Sequence, residues 1–129
     1  FGVSITRFNS KEAVENLNQK GFRISFINIW RLKPFVLEKQ QILNLNSSEN
    51  GFLLLDDDYT SGSMSSISVM INNFAKTPQK ISLMGLKEKS AGFSKKSDNL
   101  PPSINEIEER ILTIIDQAYQ ENLLELILH

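Results

Sequence analysis

The segment that decides the fold is Phe52-Leu53-Leu54-Leu55-Asp56-Asp57-Asp58-Tyr59, in which an apolar run gives way to three aspartates. A short run of large apolar residues without polar alternation is typical of a strand buried on both faces, as in a parallel sheet. The sequence therefore predicts a strand over residues 52–55 that ends at Asp56. Ligands bind beyond the carboxyl ends of strands in open α/β sheets, so Asp56, Asp57, Asp58 and Tyr59 are expected at a binding edge.

The residues that follow predict a turn, a helix and a further strand. Residues 60–63 are small and polar, which favours a turn that includes Ser61 and Gly62. Residues 81–86 predict the next strand, and residues 77–78 end the helix before it. That helix has an apolar stripe at helical spacing, formed by Ile67, Met70, Ile71 and Phe74.

A capping box at Ser103 and Glu106 predicts the start of the last helix, after a loop over residues 87–102. The apolar tail of this last helix, residues 123–128, is either a packing surface for a partner or the end of a helix that completes the core. The positions predicted to be buried recur at helical spacing and are Ile104, Ile107, Ile111, Ile114, Ile115 and Ala118.

Upstream of the deciding segment, residues 3–8 alternate between apolar and polar side chains, which predicts a first strand. Asn9 and Glu12 have the spacing of a capping box and predict a helix over about residues 10–20. Gly21 follows that helix and predicts its left-handed carboxyl end.

Residues 22–29 are rich in β-branched and aromatic side chains, which predicts a second strand. A turn at residues 31–34, a short helix over residues 35–43 and a polar loop over residues 44–51 complete the connection to the deciding segment. Strands that alternate with helices in this way predict an α/β fold. The expected architecture has three layers, with a mainly parallel sheet of about four strands covered on both faces.

The composition is that of a single globular domain spanning residues 1–129. Hydrophobic residues make up 40% and charged residues 22% of the 129, and cysteine is absent, which excludes disulfides and thiolate metal sites. The net charge of -1 argues against a nucleic-acid partner, and no apolar run is long enough for a membrane helix. We expect a soluble, cytoplasmic domain. Because the first residue is Phe1, we expect it to be processed or part of a longer chain.

The acidic edge has two interpretations. The three aspartates provide the oxygen ligands that a hard cation such as magnesium prefers. Alternatively they are solvated, or one of them caps the next helix. The adjacent turn could bind an anion at a helix amino end, although the aspartates would repel phosphate. His129 is the single histidine, so a Ser-His-Asp triad has no credible base. The residues themselves predict no catalytic group.

Three motifs in order resemble the transketolase C-terminal domain, which also occurs in the beta subunits of 2-oxoacid dehydrogenases, including pyruvate dehydrogenase. The first is Trp30-Arg31-Leu32-Lys33-Pro34-Phe35, similar to the family's Lys-Pro segment after a strand. The second is Leu53-Leu54-Leu55-Asp56-Asp57-Asp58-Tyr59-Thr60-Ser61-Gly62, similar to its apolar strand, acidic pair and glycine turn. The third is Leu100-Pro101-Pro102-Ser103-Ile104-Asn105-Glu106-Ile107, similar to the entry of its closing helix.

The resemblance implies a domain that supports dimerisation and subunit assembly in a thiamine-diphosphate-dependent transferase or oxidoreductase. Thiamine diphosphate and magnesium would be bound by other domains of the full enzyme. The implied partners are a second copy or another subunit, and an acyltransferase core in the dehydrogenases. The implied sheet has the first strand at its centre, the second strand on one side and the third and fourth on the other. The expected interface or ligand-facing residues are Asp57, Asp58, Tyr59, Ser61 and Gly62. The alternative is a stand-alone binding or regulatory module that uses the acidic edge.

Overall fold

The computed structural model describes residues 1–3, 6–59, 63–86 and 102–128, and of residues 57–59, 63 and 86 it describes the backbone only. Within these ranges strands and helices alternate along the chain. In chain order they are β1 (Gly2–Val3), α1 (Thr6–Gln19), β2 (Asn28–Ile29), α2 (Lys39–Asn46), β3 (Phe52–Tyr59), α3 (Ser63–Asn72), β4 (Ile81–Leu86) and α4 (Ile104–Leu128).

The four strands of the described ranges form one parallel sheet in the order β2-β1-β3-β4. β1 is short but central, because Gly2 aligns with Asn28 of β2 on one side and with Leu55 of β3 on the other. The α/β class and the parallel sheet predicted from the sequence are confirmed.

The hydrophobic core lies on both faces of this sheet, because adjacent residues of a strand point to opposite faces. Leu54 packs with side chains of α2 and α3, including Leu45, Met64 and Ile71. Leu55, the next residue of β3, packs in a separate cluster on the other face. That cluster contains Ala13 of α1 and Ile107 of α4, both fully buried. Burying each large aliphatic side chain contributes about 1.5–3 kcal/mol, so both faces hold helices in place.

Several local predictions are confirmed by the structure. β4 has the predicted bounds, and Ile67 and Ile71 lie on the buried side of α3. The Ser103 side chain accepts a hydrogen bond from the Glu106 backbone N–H at 3.2 Å, as the predicted capping box requires. Gly21 follows α1 with a φ of 98°, in the left-handed region that ends many helices.

The prediction of a strand over residues 3–8 is wrong from Thr6 onward, because α1 begins there. The predicted capping box at Asn9 is wrong for the same reason, since that residue lies inside the helix. Six alternating residues are too few to exclude a helix, and within α1 Phe8 is 62% exposed.

Three other boundaries differ from the predictions. The strand predicted over residues 22–29 is confined to Asn28–Ile29. The helix predicted over residues 35–43 is Lys39–Asn46, and the Gln41 side chain accepts a hydrogen bond from the Glu38 N–H at 2.9 Å at its start. β3 does not stop at Asp56 but continues to Tyr59. No helix in the described ranges combines the length and the apolar character needed to cross a membrane.

Candidate functional site

The strand order places a topological switch point between β1 and β3. β1 leads through α1 to β2 on one side, whereas β3 leads through α3 to β4 on the other side. Connections that leave in opposite directions open a crevice at the carboxyl ends of the two strands, where ligands bind in open α/β sheets. The carboxyl end of β3 contains the aspartates, so the sequence correctly placed them at this edge.

Asp56 lies within β3 and is buried, with 5% of its surface exposed. The pairing of β3 with β4 shifts register between Leu55 and Tyr59, so β3 has more residues than β4 in this stretch. Such irregularities bend a strand and redirect its side chains, and they are frequent near binding sites. The acidic segment therefore occupies the distorted end of a strand rather than the loop that the sequence suggested.

The structure describes the other predicted site residues only in part. The backbone of Asp57, Asp58 and Tyr59 forms the carboxyl end of β3, and their side chains lie outside the described part of the structure. Ser61 and Gly62 lie outside the described residues altogether. The expectation that these five residues form one interface or ligand-facing group stays a prediction.

Thr6 is a buried polar residue at the switch point that the sequence analysis missed. Its hydroxyl lies within hydrogen-bonding distance of the Val3 carbonyl oxygen and of the Leu55 carbonyl oxygen, the latter at 3.2 Å. It therefore links β1, β3 and the first turn of α1. The sequence feature that could have revealed this residue is a threonine in the strand expected at the centre of the sheet, because a buried hydroxyl needs a hydrogen-bond partner.

Trp30 directly follows β2 at the same edge of the sheet and is 78% exposed. A large aromatic ring at a strand end usually packs against the protein, but here most of its apolar surface faces solvent. Aromatic residues are enriched at interfaces, so Trp30 is a candidate contact residue.

A metal site is not evident in the part of the chain that the structure describes. No group of three histidine, cysteine, aspartate or glutamate side chains among the described residues is arranged to hold a metal ion. Because the side chains of Asp57 and Asp58 are not among them, this finding leaves the magnesium interpretation of the acidic edge as a prediction.

The opposite edge of the sheet contains a groove of about 890 Å³, which we call the amino-edge groove. Residues 22–27 form one wall, residues 47–53 form the other, and Phe1 lies between them. Its remaining surface is mostly apolar and comes from α1 and α4, including Val14, Ile111, Ile114 and Ile115. No pattern in the sequence predicts this groove, because its walls come from segments that are distant along the chain.

The α-amino group of Phe1 is buried where β1 meets the amino-edge groove. It donates a hydrogen bond to the Leu53 carbonyl oxygen at 2.8 Å, and Phe1 in turn accepts one from the Leu55 N–H at 2.9 Å. Desolvation by burial lowers the pKa of this amino group from 8.0 to about 5. Phe1 thus continues the pairing of β1 with β3 by one residue.

The end of α4 presents an apolar surface to solvent. Leu124 is 58% exposed, and Leu126, Ile127 and Leu128 are each more than 70% exposed. The prediction that the tail over residues 123–128 merely completes the core is wrong for these four side chains. Helical spacing places Leu124, Ile127 and Leu128 on one face of α4, whereas Leu126 lies on a different face. Exposed apolar residues that share a face mark interaction surfaces, so we call Leu124, Ile127 and Leu128 the α4 tail surface.

Comparison with models of known protein families, with curated proteins and with solved structures finds no match to this chain.

Proposed function

We propose that this chain is a cytoplasmic, three-layer domain of the transketolase C-terminal type that serves dimerisation and subunit assembly in a thiamine-diphosphate-dependent enzyme. The α4 tail surface carries the proposal. Its three large apolar side chains are between 58% and 76% exposed, and burying such a side chain against a partner contributes about 1.5–3 kcal/mol.

The sheet topology also supports this assignment. The order β2-β1-β3-β4 is the order that the sequence resemblance implies, with β1 at the centre. Trp30, in the Lys-Pro motif of the resemblance, is exposed rather than packed. The proposed interface or ligand-facing residues at the carboxyl edge remain Asp57, Asp58, Tyr59, Ser61 and Gly62. The proposed partner is a second copy or another subunit, including the acyltransferase core if the enzyme is a 2-oxoacid dehydrogenase.

The test of assembly is analytical ultracentrifugation of the chain and of two variants. Ile127→Asp places a charge in the α4 tail surface, so we expect it to convert a self-associating protein to monomers. Asn122→Asp adds the same charge at an exposed polar position on another face of α4 and should leave the association unchanged. A parent protein that is monomeric at high micromolar concentration, or equal effects of the two variants, would contradict self-assembly through this surface.

In this proposal the cofactor is bound elsewhere in the full enzyme. We assign no catalytic step to this chain. Titration calorimetry with thiamine diphosphate and magnesium should give no binding heat for this chain alone. Tight binding would show that the chain itself contains the cofactor site.

A second candidate function is a binding or regulatory module that uses the acidic edge. The observation in its favour is the register shift of β3 around the aspartates, with Asp56 buried beside it. If this edge binds magnesium, the ion should raise the melting temperature of the parent protein and not that of Asp57→Asn. No magnesium-dependent rise in the parent would exclude this candidate.

A further inference from the structure

The charges of this chain are unevenly distributed between α4 and the rest of the sequence. α4 contains six acidic residues and one basic residue, whereas the whole chain contains 15 acidic residues and 14 lysines and arginines. The residues outside α4 therefore carry a net positive charge. Opposite charges on two parts of one chain favour contacts between copies, because an acidic surface of one copy attracts a basic surface of another.

One exposed face of α4 combines carboxylates with large apolar side chains. Residues three or four positions apart share a face of a helix. This spacing joins Glu109, Leu112, Asp116, Tyr119 and Leu123, which we call the α4 stripe. Tyr119 is 61% exposed and Leu112 is also exposed, since the helix packs against α1 and β3 through a different face. The α4 stripe therefore presents a surface that is both acidic and apolar.

The segment after β2 has the complementary composition. It covers residues 30–36, which we call the basic loop, and it leads from β2 towards α2. Arg31 and Lys33 are exposed, and the side chains of Trp30 and Val36 are 78% and 67% exposed. Aromatic residues and arginine are enriched at protein interfaces. A loop that exposes them beside a second cation suits a partner surface that is apolar and acidic.

The basic loop and the α4 stripe belong to separate parts of one molecule. The loop follows β2, an edge strand of the described sheet, and β1 separates β2 from β3. α4 packs against β3 and α1. Within the described ranges, neither the two cations of the loop nor the two carboxylates of the stripe form an ion pair. These charges are therefore available to another molecule.

From this complementarity we propose that the basic loop of one copy of this chain docks on the α4 stripe of a second copy. In this contact Arg31 and Lys33 face Glu109 and Asp116, and Trp30 packs against the apolar residues of the stripe. A buried tryptophan surrounded by polar contacts is the usual centre of such an interface. The inference rests on the proposed self-assembly and deepens it, because it names the surface that the second copy contributes.

The test reverses the charges of one surface at a time. The loop variant is Arg31→Glu with Lys33→Glu, and the stripe variant is Glu109→Lys with Asp116→Lys. Each variant has like charges on both surfaces, so sedimentation equilibrium should show self-association roughly tenfold weaker than in the parent, or weaker still. An equimolar mixture restores opposite charges at the contact and should return the association to within roughly threefold of the parent.

The control is Lys20→Glu with Lys76→Glu, which makes the same change of charge at two exposed positions outside the basic loop and should leave self-association unchanged. A mixture no more associated than the separate variants would overturn the docking contact but leave self-assembly through the α4 tail surface intact. A monomeric parent would overturn both. If the monomeric parent binds vesicles of phosphatidylserine and phosphatidylcholine and the loop variant does not, the basic loop faces a lipid surface, which also overturns the contact.

A second pair of variants examines the apolar part of the contact. Trp30→Ala removes the exposed ring of the basic loop and should weaken self-association roughly tenfold. Phe8→Ala removes another exposed aromatic ring, on α1, and should leave self-association unchanged. Equal effects of the two substitutions would show that the copies do not meet through the basic loop.

Discussion

Thr6 connects three elements through one buried hydroxyl group. Its side chain is fully buried and reaches the carbonyl oxygens of Val3 and Leu55. Thr6→Val keeps the shape of the side chain but removes the donor, so we expect a loss of about 1–3 kcal/mol in the free energy of unfolding. Thr6→Ser retains the hydroxyl and should lose less. Urea denaturation measures both, and a valine variant as stable as the parent would show that these contacts contribute nothing.

Gly21 and Gly51 both have a positive φ but differ in the space available to an added Cβ atom, so alanine substitutions at the two positions separate backbone strain from steric overlap. At Gly21, with φ +98°, an added Cβ would meet nothing within 4 Å. At Gly51, with φ +81°, it would lie 2.0 Å from the Lys80 carbonyl oxygen, which accepts a hydrogen bond from the Phe52 N–H. Gly21→Ala should cost roughly 1–2 kcal/mol from backbone strain, and Gly51→Ala should cost more because the β3–β4 pairing must also shift. Equal losses in thermal denaturation would contradict this account.

At the scale of elements, α4 has an anchored beginning and an exposed end. Ile107 is fully buried between α1 and β3, whereas Ile127 is 76% exposed. Ile107→Ala should therefore reduce the free energy of unfolding by about 2–5 kcal/mol. Ile127→Ala should change it by less than about 0.5 kcal/mol. The measurement is urea denaturation at a protein concentration where the chain is monomeric, and comparable losses would mean that the end of α4 packs in the monomer.

Elements whose signals are local were predictable from the sequence. The apolar stripe of α3, the capping box of α4 and the bounds of β4 each depend on residues close together in the chain. The extent of β2 was not predictable from the sequence, because strand residues need a neighbouring strand to pair with and β1 provides only two residues. The helical start of α1 was missed because the bonds of Thr6 reach across the sheet.

The candidate site also has one part that could be predicted from the sequence and another that could not. The sequence placed the aspartates at the carboxyl edge because strand direction follows from the order of elements. It could not predict that β3 would continue through Asp56 with a shifted register, since that depends on the pairing with β4. The amino-edge groove was equally inaccessible, because its walls are assembled from residues 22–27 and 47–53.

At the scale of the whole molecule, the two edges of the sheet have different chemistry. The carboxyl edge holds the acidic end of β3 and the exposed Trp30, which suits contacts with polar groups or a partner subunit. The amino edge is lined mainly by apolar side chains and contains the buried amino group of Phe1. The two edges are therefore suited to different classes of contact.

The buried amino group of Phe1 makes the stability of a chain beginning at this residue depend on pH. Burial lowers the pKa of the group to about 5 in the folded protein, against 8.0 when it is exposed in the unfolded chain. Between these values the unfolded state binds more protons, so stability increases with pH. Above about pH 8 the amino group is neutral in both states and does not reduce stability. As the pH falls towards 5, the unfolded state is protonated first and the folded protein loses stability. The total change is on the order of 4 kcal/mol, since each pKa unit corresponds to about 1.4 kcal/mol.

The control for this prediction is the same chain with an acetylated amino terminus. Acetylation keeps an N–H that can donate to the Leu53 carbonyl oxygen but removes the titrating charge. Urea denaturation between pH 5 and 8 should therefore show a steeper loss of stability towards acid pH in the free-amine protein than in the acetylated one. The two curves should converge near pH 8, where the amino group is neutral in the folded state. Parallel curves across the range would mean that the amino group is hydrated in the folded protein and that the groove is open to water at Phe1.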